Sequence, residues 1–193
     1  DLLITSPPYA TCYEYSEIHQ LTQLWFEKYK IVPTAAPRQD WIGSRGGASC
    51  DVPSEDIQMI APSATQALTR LEEAATIGEK SNSAIMREVR ALRRYFEDMQ
   101  KAIAQMASVV NSQKYMVLVI GDSRKRNVEI PTGEALTEMA ISVGFELRKN
   151  IDRKVPGRVL VSTRDRTSGR FSSSAASDVQ VYPEESILVF QRK

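Results

Sequence analysis

The chain has 193 residues, with 25 Lys and Arg against 24 Asp and Glu and a formal charge of +1. That balance excludes a polybasic tail or an acidic solvating segment, and it leaves room for local basic surfaces. At 42% hydrophobic and 25% charged residues the chain is long enough for one proper core, and its longest useful apolar run, Met116 to Ile120, is strand-sized, too short for a membrane span.

Taken in chain order, Leu2, Leu3 and Ile4 form a continuous apolar run that stops at Ser6-Pro7-Pro8. This predicts a strand buried on both faces, ended by two residues that lack an N–H donor. The chain opens on this strand with no lead-in, as if cut through the middle of a sheet. Tyr15 to Tyr29 follows a helical period that puts Ile18, Leu21, Trp25 and Tyr29 on one face. Residues 30–54, punctuated by Pro33, Pro37, Gly43, Gly46, Gly47 and Pro53, read as an irregular connection. A second helix is predicted from Ser54, as its N-cap, to Thr76, with Ile57, Ile60, Ala64, Leu68, Leu71 and Ala75 as its stripe.

The strongest periodicity lies between Ser83 and Asn111. Ile85, Val89, Leu92, Phe96, Met99, Ile103, Met106 and Val110 alternate in steps of four and three, a heptad seam. One reading packs this helix on the preceding one as a hairpin; the other makes a homodimer through residues 85–110. Phe and Met at seam positions favour the first. Beyond residue 114 the pattern turns to α/β. Tyr115 to Ile120 is a buried strand ending in Gly121-Asp122-Ser123. Pro131 opens a helix over Gly133 to Val143, with Leu136, Met139, Ala140 and Val143 facing inward and Gly144 closing it. Phe145 to Ile151 and Ser186 to Phe190 are strands, separated by a long polar loop over 152–184. The expected fold is one partial α/β domain with a mainly helical insertion at 11–113.

Ser6-Pro7-Pro8-Tyr9 is the most informative tetrapeptide. It follows a buried strand directly, where open α/β sheets place their ligands. The prolines fix the backbone so that the Ser6 hydroxyl and the Pro7 carbonyl can converge as acceptors, and Tyr9 adds a plane for a ring to stack on. Acceptors aimed at an exocyclic amine beside a ring clamp suit the methylation of an amino nitrogen on a flipped base. The plain alternative is a proline-rich turn.

Asp1 to Tyr9 resembles the catalytic motif of S-adenosylmethionine-dependent DNA amino-methyltransferases, the N4-cytosine and N6-adenine modification methylases. Tyr13, Tyr15, His19, Leu21 and Trp25, the Trp41-Ile42-Gly43-Ser44 element, Val117 to Asp122, and Ile130-Pro131 through Gly144-Phe145-Glu146 are similar to later segments of that family. The resemblance spans nearly the whole chain, and only its first motif is highly specific. It implies the later strands of a Rossmann-like class I methyltransferase sheet. It also implies that Ser6, Pro7 and Pro8 orient the target amine while Tyr9 stacks on the base. Serine at the first position is more usual for cytosine N4, and Asp or Asn for adenine N6.

The family's Gly-rich cofactor turn is missing. Gly43-Ser-Arg-Gly46-Gly47 has neither the preceding strand nor the following helix that such a turn needs. The resemblance therefore implies a cofactor-binding half upstream of Asp1, about 100 residues at ~30 per unit, on the same chain or a second polypeptide. Alone, this chain is expected to bind S-adenosylmethionine poorly.

Asp122 ends its strand beside the expected site, where it either contacts the nucleotide or caps the loop. His19, the single histidine, reads as a structural hydrogen-bonding residue ahead of a general base. Arg87, Arg90, Arg94 and Lys101 share a face of the long helix and read as solvated. Arg153, Lys154, Arg158, Arg164, Arg166 and Arg170 gather in the polar loop and are expected to hold phosphates of double-stranded DNA. Cys12 and Cys50 are too few for a disulfide framework and lack metal-ligand spacing, and no signal-peptide pattern is present. A cytoplasmic protein is expected, with no metal and no membrane contact. The rival functions are an RNA guanine-N2 methyltransferase, and a non-catalytic helical interaction module in which the tetrapeptide is only a turn.

Overall fold

A computed structural model describes residues 1–10, 19–31, 42, 60–76, 83–126, 128–154, 163–164, 179–180 and 184–193. Its centre is a mixed four-stranded sheet. The strands are β1 (Leu2–Thr5), β2 (Tyr115–Ile120), β5 (Phe145–Lys154) and β8 (Glu184–Arg192), in the order β1-β2-β8-β5. β1 runs parallel to β2, while β8 lies antiparallel to both β2 and β5. Three strands therefore point one way and the last runs back between two of them. The start of β8 consequently lies at the carboxyl end of β2, with Ser186 opposite Ile120.

The other described elements are α1 (Gln20–Lys28), α2 (Pro62–Thr76), α3 (Ser83–Val109), the hairpin β3 (Ser123–Lys125) and β4 (Val128–Ile130), α4 (Thr132–Ser142), and the short pair β6 (Thr163–Arg164) and β7 (Val179–Gln180). α1, α2 and α3 fall between β1 and β2 in sequence.

One core joins α2, α3 and α4 to the inner face of the sheet. From the strands it takes Met116, Leu118, Ile120, Phe145, Leu188 and Phe190, with the Phe145 and Phe190 rings edge-to-face at 6.3 Å. The heptad seam of α3 belongs to it: Ile85, Val89, Leu92, Phe96, Met99, Ile103 and Val110 are buried, and Met106 is half-buried against them. The seam is thus spent inside the chain, as the hairpin reading required. A homodimer through 85–110 would have to use some other surface of that helix. α4 begins after Pro131 and ends at Ser142 with Val143 as its C-cap, close to expectation, and Gly144 follows in the left-handed region at φ 89°.

Three expectations need correction. The apolar run of β1 predicted burial on both faces and that of β2 a buried strand, yet both strands alternate. Leu2 and Ile4 are 60% and 66% exposed, and Tyr115 on β2 is exposed beside them. Nothing among the described residues covers that face, and an apolar run by itself does not reveal whether one face or two will be packed. Secondly, no single helix runs from Ser54 to Thr76. Ala61 is non-helical and α2 begins at Pro62, whose ring and missing N–H cannot continue a helix from the preceding turn; Ser54 and Ile57 lie outside the described residues. Thirdly, the face of α1 is not a packing face: Leu21 and Trp25 are 76% and 63% exposed and no residue of the helix is buried. Trp25 instead packs on Tyr29, ring centroids 5.1 Å apart.

The strands flanking the polar loop are longer than predicted. β5 continues to Lys154, past a register shift between Leu147 and Lys149, and β8 starts at Glu184. Among the described residues no helix is long and apolar enough to cross a membrane.

Candidate active site

The tetrapeptide Ser6-Pro7-Pro8-Tyr9 leaves the carboxyl end of β1, at the sheet edge where α/β proteins bind ligands. The prolines end the strand, and the chain is then fastened from three sides. The Ser6 hydroxyl donates to the Val119 carbonyl on β2 at 3.1 Å. The Tyr95 hydroxyl, on α3, donates to the Pro8 carbonyl at 2.8 Å. The Tyr9 hydroxyl donates to Glu185 Oε1, at the start of β8, at 2.5 Å. Pro7 is buried, Pro8 and Tyr9 are half-buried, and Ser6 stays exposed.

Gly121, directly after β2, makes room for the tyrosine ring. A Cβ at that position would lie 3.0 Å from Tyr9 Cε2 and 3.6 Å from the Glu184 carbonyl. Glu185 in turn pairs with Arg153, its register partner across β5 and β8. Burial, then the hydrogen bond to Glu185 and its charge, push the Tyr9 phenol far above its ordinary range; the Ser6 hydroxyl and the Arg153 charge pull the other way. Tyr9 is therefore a neutral ring with a tethered hydroxyl throughout the physiological pH range.

Asp122 lies beside this loop and its carboxyl is engaged within the fold. Its Oδ1 accepts from the Gly133 N–H at 2.8 Å, at the first turn of α4. The outer side of the residue is exposed, but burial on its inner side dominates and raises its pKa, against the lowering effect of the Gly133 and Thr132 N–H groups. This bond ties Asp122 to the first turn of α4. His19 occupies the N-cap position of α1 without a side-chain capping bond, and its carbonyl accepts from the Gln23 N–H at 2.9 Å.

The basic loop is only partly visible. Arg158, Arg166 and Arg170 lie outside the described residues, and Arg164 is placed only by its backbone, in β6 opposite Val179. Tyr13, Tyr15, Trp41, Gly43 and Ser44 also lie outside, while Ile42 packs on the core. Three residues of the site had not been singled out as site residues from sequence: Gly121, Tyr95 and Glu185. Gly121 was legible only as a strand end. Tyr95 sits next to the heptad seam and Glu185 at a strand start, and they are 87 and 176 residues from their partners in the loop. No local pattern could have linked them.

Among the described residues there is no Gly-rich strand-to-helix turn. What the fold and site define is a class, an α/β chain with a mixed sheet and an anchored Pro-Pro-aromatic loop at its carboxyl edge. Compared with protein-family models, with curated protein sequences and with solved structures, the chain matches none.

Proposed function

We propose that the chain is the catalytic portion of a DNA amino-methyltransferase, acting on the exocyclic nitrogen of a flipped base, with cytosine N4 ahead of adenine N6. The observation that carries this reading is the position and anchoring of Ser6-Pro7-Pro8-Tyr9 at the carboxyl end of β1. In this reading the exposed Ser6 hydroxyl keeps acceptor lone pairs for an incoming amine, the Pro7 carbonyl supplies a second acceptor, and Tyr9 stacks on the base. S-adenosylmethionine would supply the methyl group from polypeptide outside these residues. Two features support such a further half: the apolar face of Leu2, Ile4 and Tyr115, which is uncovered among the described residues, and the position of β1 at the sheet edge. Double-stranded DNA is the proposed partner, with Arg158, Arg164, Arg166 and Arg170 as phosphate contacts. Asp122, whose Oδ1 accepts from the Gly133 N–H, remains a proposed nucleotide contact beside them.

The test is to incubate the intact protein with labelled S-adenosylmethionine and either DNA or RNA, then digest the nucleic acid to nucleosides. N4-methylcytosine or N6-methyladenine from DNA is the expected product. Methylguanosine from RNA alone would select the RNA guanine-N2 alternative. One observation favours a non-catalytic interaction module, namely the exposed apolar face of α1. Unchanged product formation after Tyr9→Ala would remove the tetrapeptide from catalysis and leave that reading standing.

A further inference from the structure

We infer that Glu185 is a positioning residue, which fixes where the Tyr9 ring projects by holding its hydroxyl. The inference rests on the reading of Tyr9 as the surface on which a planar base stacks. A tyrosine ring on a half-buried loop swings about χ1 and turns about a broad sp³–sp² torsion at χ2; the hydroxyl oxygen lies on the χ2 axis, so a bond to it restrains the swing and a contact at the ring edge restrains the turn. In this structure both ends of that freedom are constrained. The ring edge meets Gly121, where no side chain intervenes, and the hydroxyl donates to Glu185 Oε1 at 2.5 Å.

Glu185 is suited to this task by its surroundings. Its side chain is only 11% exposed, so water competes weakly for the carboxylate, and a charged acceptor gives a shorter and stronger bond than a neutral one. Arg153, on the neighbouring strand, pairs with the same carboxylate and fixes its orientation. The reversed direction of β8 is what makes the contact possible, because it delivers the start of the last strand to the carboxyl ends of β1 and β2. A ring held in advance loses less freedom when a base stacks on it, so the tether contributes affinity without touching the ligand.

The probe is a single-stranded oligodeoxynucleotide carrying one 2-aminopurine, whose fluorescence is quenched by stacking. It is titrated onto the intact protein and onto Tyr9→Ala, Tyr9→Phe, Glu185→Gln, Glu185→Ala and the Tyr9→Phe/Glu185→Ala double variant, with thermal melting recorded for each. Tyr9→Ala should abolish most of the quenching and weaken binding by roughly 5-fold to 150-fold, the range of one base–aromatic stack. Tyr9→Phe and Glu185→Ala should each weaken it by about fivefold, the size of one lost hydrogen bond. Glu185→Gln, which keeps an acceptor, should restore most of the loss. The double variant should be no worse than either single one, because both remove the same bond.

A Glu185→Ala loss that adds fully to that of Tyr9→Phe would mean a general structural role and would overturn the inference. So would a Tyr9→Phe variant as good as wild type, which tests the same bond from the other side even if Glu185→Ala fails to fold. No effect of Tyr9→Ala would sink the stacking reading itself, and the role of Glu185 with it. An effect of Tyr9→Ala with none from Tyr9→Phe or Glu185→Ala would sink only the positioning role.

Discussion

Replacing Gly121 by alanine places one methyl group against the ring that the proposed site depends on. The added Cβ would sit 3.0 Å from Tyr9 Cε2 and 3.5 Å from Cδ2. Non-bonded carbons rest at about 3.5–4.0 Å, so the ring has to retreat by roughly 0.5 Å or more. Gly121 does not lie in the left-handed region, so the cost comes from space and not from backbone strain. Overpacking of this kind costs about 1–3 kcal/mol, and the half-buried ring, which can yield outward, puts Gly121→Ala near the lower end. With a typical urea dependence, that is a fall in midpoint of about half a molar. The same retreat disturbs the bond from Tyr9 to Glu185, so quenching of a stacked 2-aminopurine should fall together with stability. In a Tyr9→Ala background the obstacle is gone. The substitution should then be neutral or stabilising by about 0.4–1 kcal/mol, through the reduced freedom of the unfolded chain. Equal destabilisation in both backgrounds would refute the ring contact as the cause.

Four other substitutions probe the surrounding structure. Tyr95→Phe removes only the hydroxyl that reaches the Pro8 carbonyl; it should cost about 0.5–1.5 kcal/mol in urea unfolding. Phe96→Ala, at a fully buried seam position, should cost about 3–5 kcal/mol, whereas Val109→Ala, exposed on the same helix, should stay within about 0.5 kcal/mol. Asp122→Asn keeps an acceptor for the Gly133 N–H while removing the charge, and its effect should depend on pH. Because the folded pKa of Asp122 is raised, the native state binds this proton more tightly than the unfolded state. The penalty of the ionised form is full above the folded pKa and is lost as pH falls from there to the unfolded value. Any stability advantage of Asp122→Asn over wild type should therefore be largest near neutrality and shrink on acidification, as measured by paired urea titrations; a gap that widens would show that attraction to the α4 N-terminus outweighs burial.

The parts of the fold that could be read from sequence are those in which a period records burial directly. The spacing of Ile85, Val89, Leu92, Phe96, Met99 and Ile103 is a map of one helix face, and all six are buried. Composition without period was less informative. Leu2-Leu3-Ile4 and Met116 to Ile120 are apolar throughout, and such runs do not say how many of their faces a neighbour covers. Pro62 was the overlooked stop within the second helix. The β3–β4 hairpin rests on Ser123-Arg124-Lys125, which carries no strand signal; its pairing with Val128, Glu129 and Ile130 and the contact of Arg124 with Glu129 hold it together. The tetrapeptide itself was legible because Pro-Pro after a strand is a strong local signal. Its anchors were not, since Tyr95 and Glu185 reach it only after the helical insertion has packed and the last strand has paired.

Those anchors bear on whether Ser6-Pro7-Pro8-Tyr9 is a turn or a site. Ending a strand requires only that its polar groups be satisfied, and solvent at the sheet edge can do that. Here a carboxylate has been drawn to 11% exposure beside a phenol, with an arginine opposite it. Withdrawing a charged group from water costs several kcal/mol before pairing offsets it, so such an arrangement is a poor way to gain stability. What it does provide is direction, because a charged acceptor fixed by Arg153 sets where the Tyr9 hydroxyl must lie, and Gly121 sets where the ring edge lies. A loop that served only as a connection would have no use for a fixed ring plane. A loop that presents that plane to a flat ligand would, and this is the physical reason for preferring the stacking site over the turn.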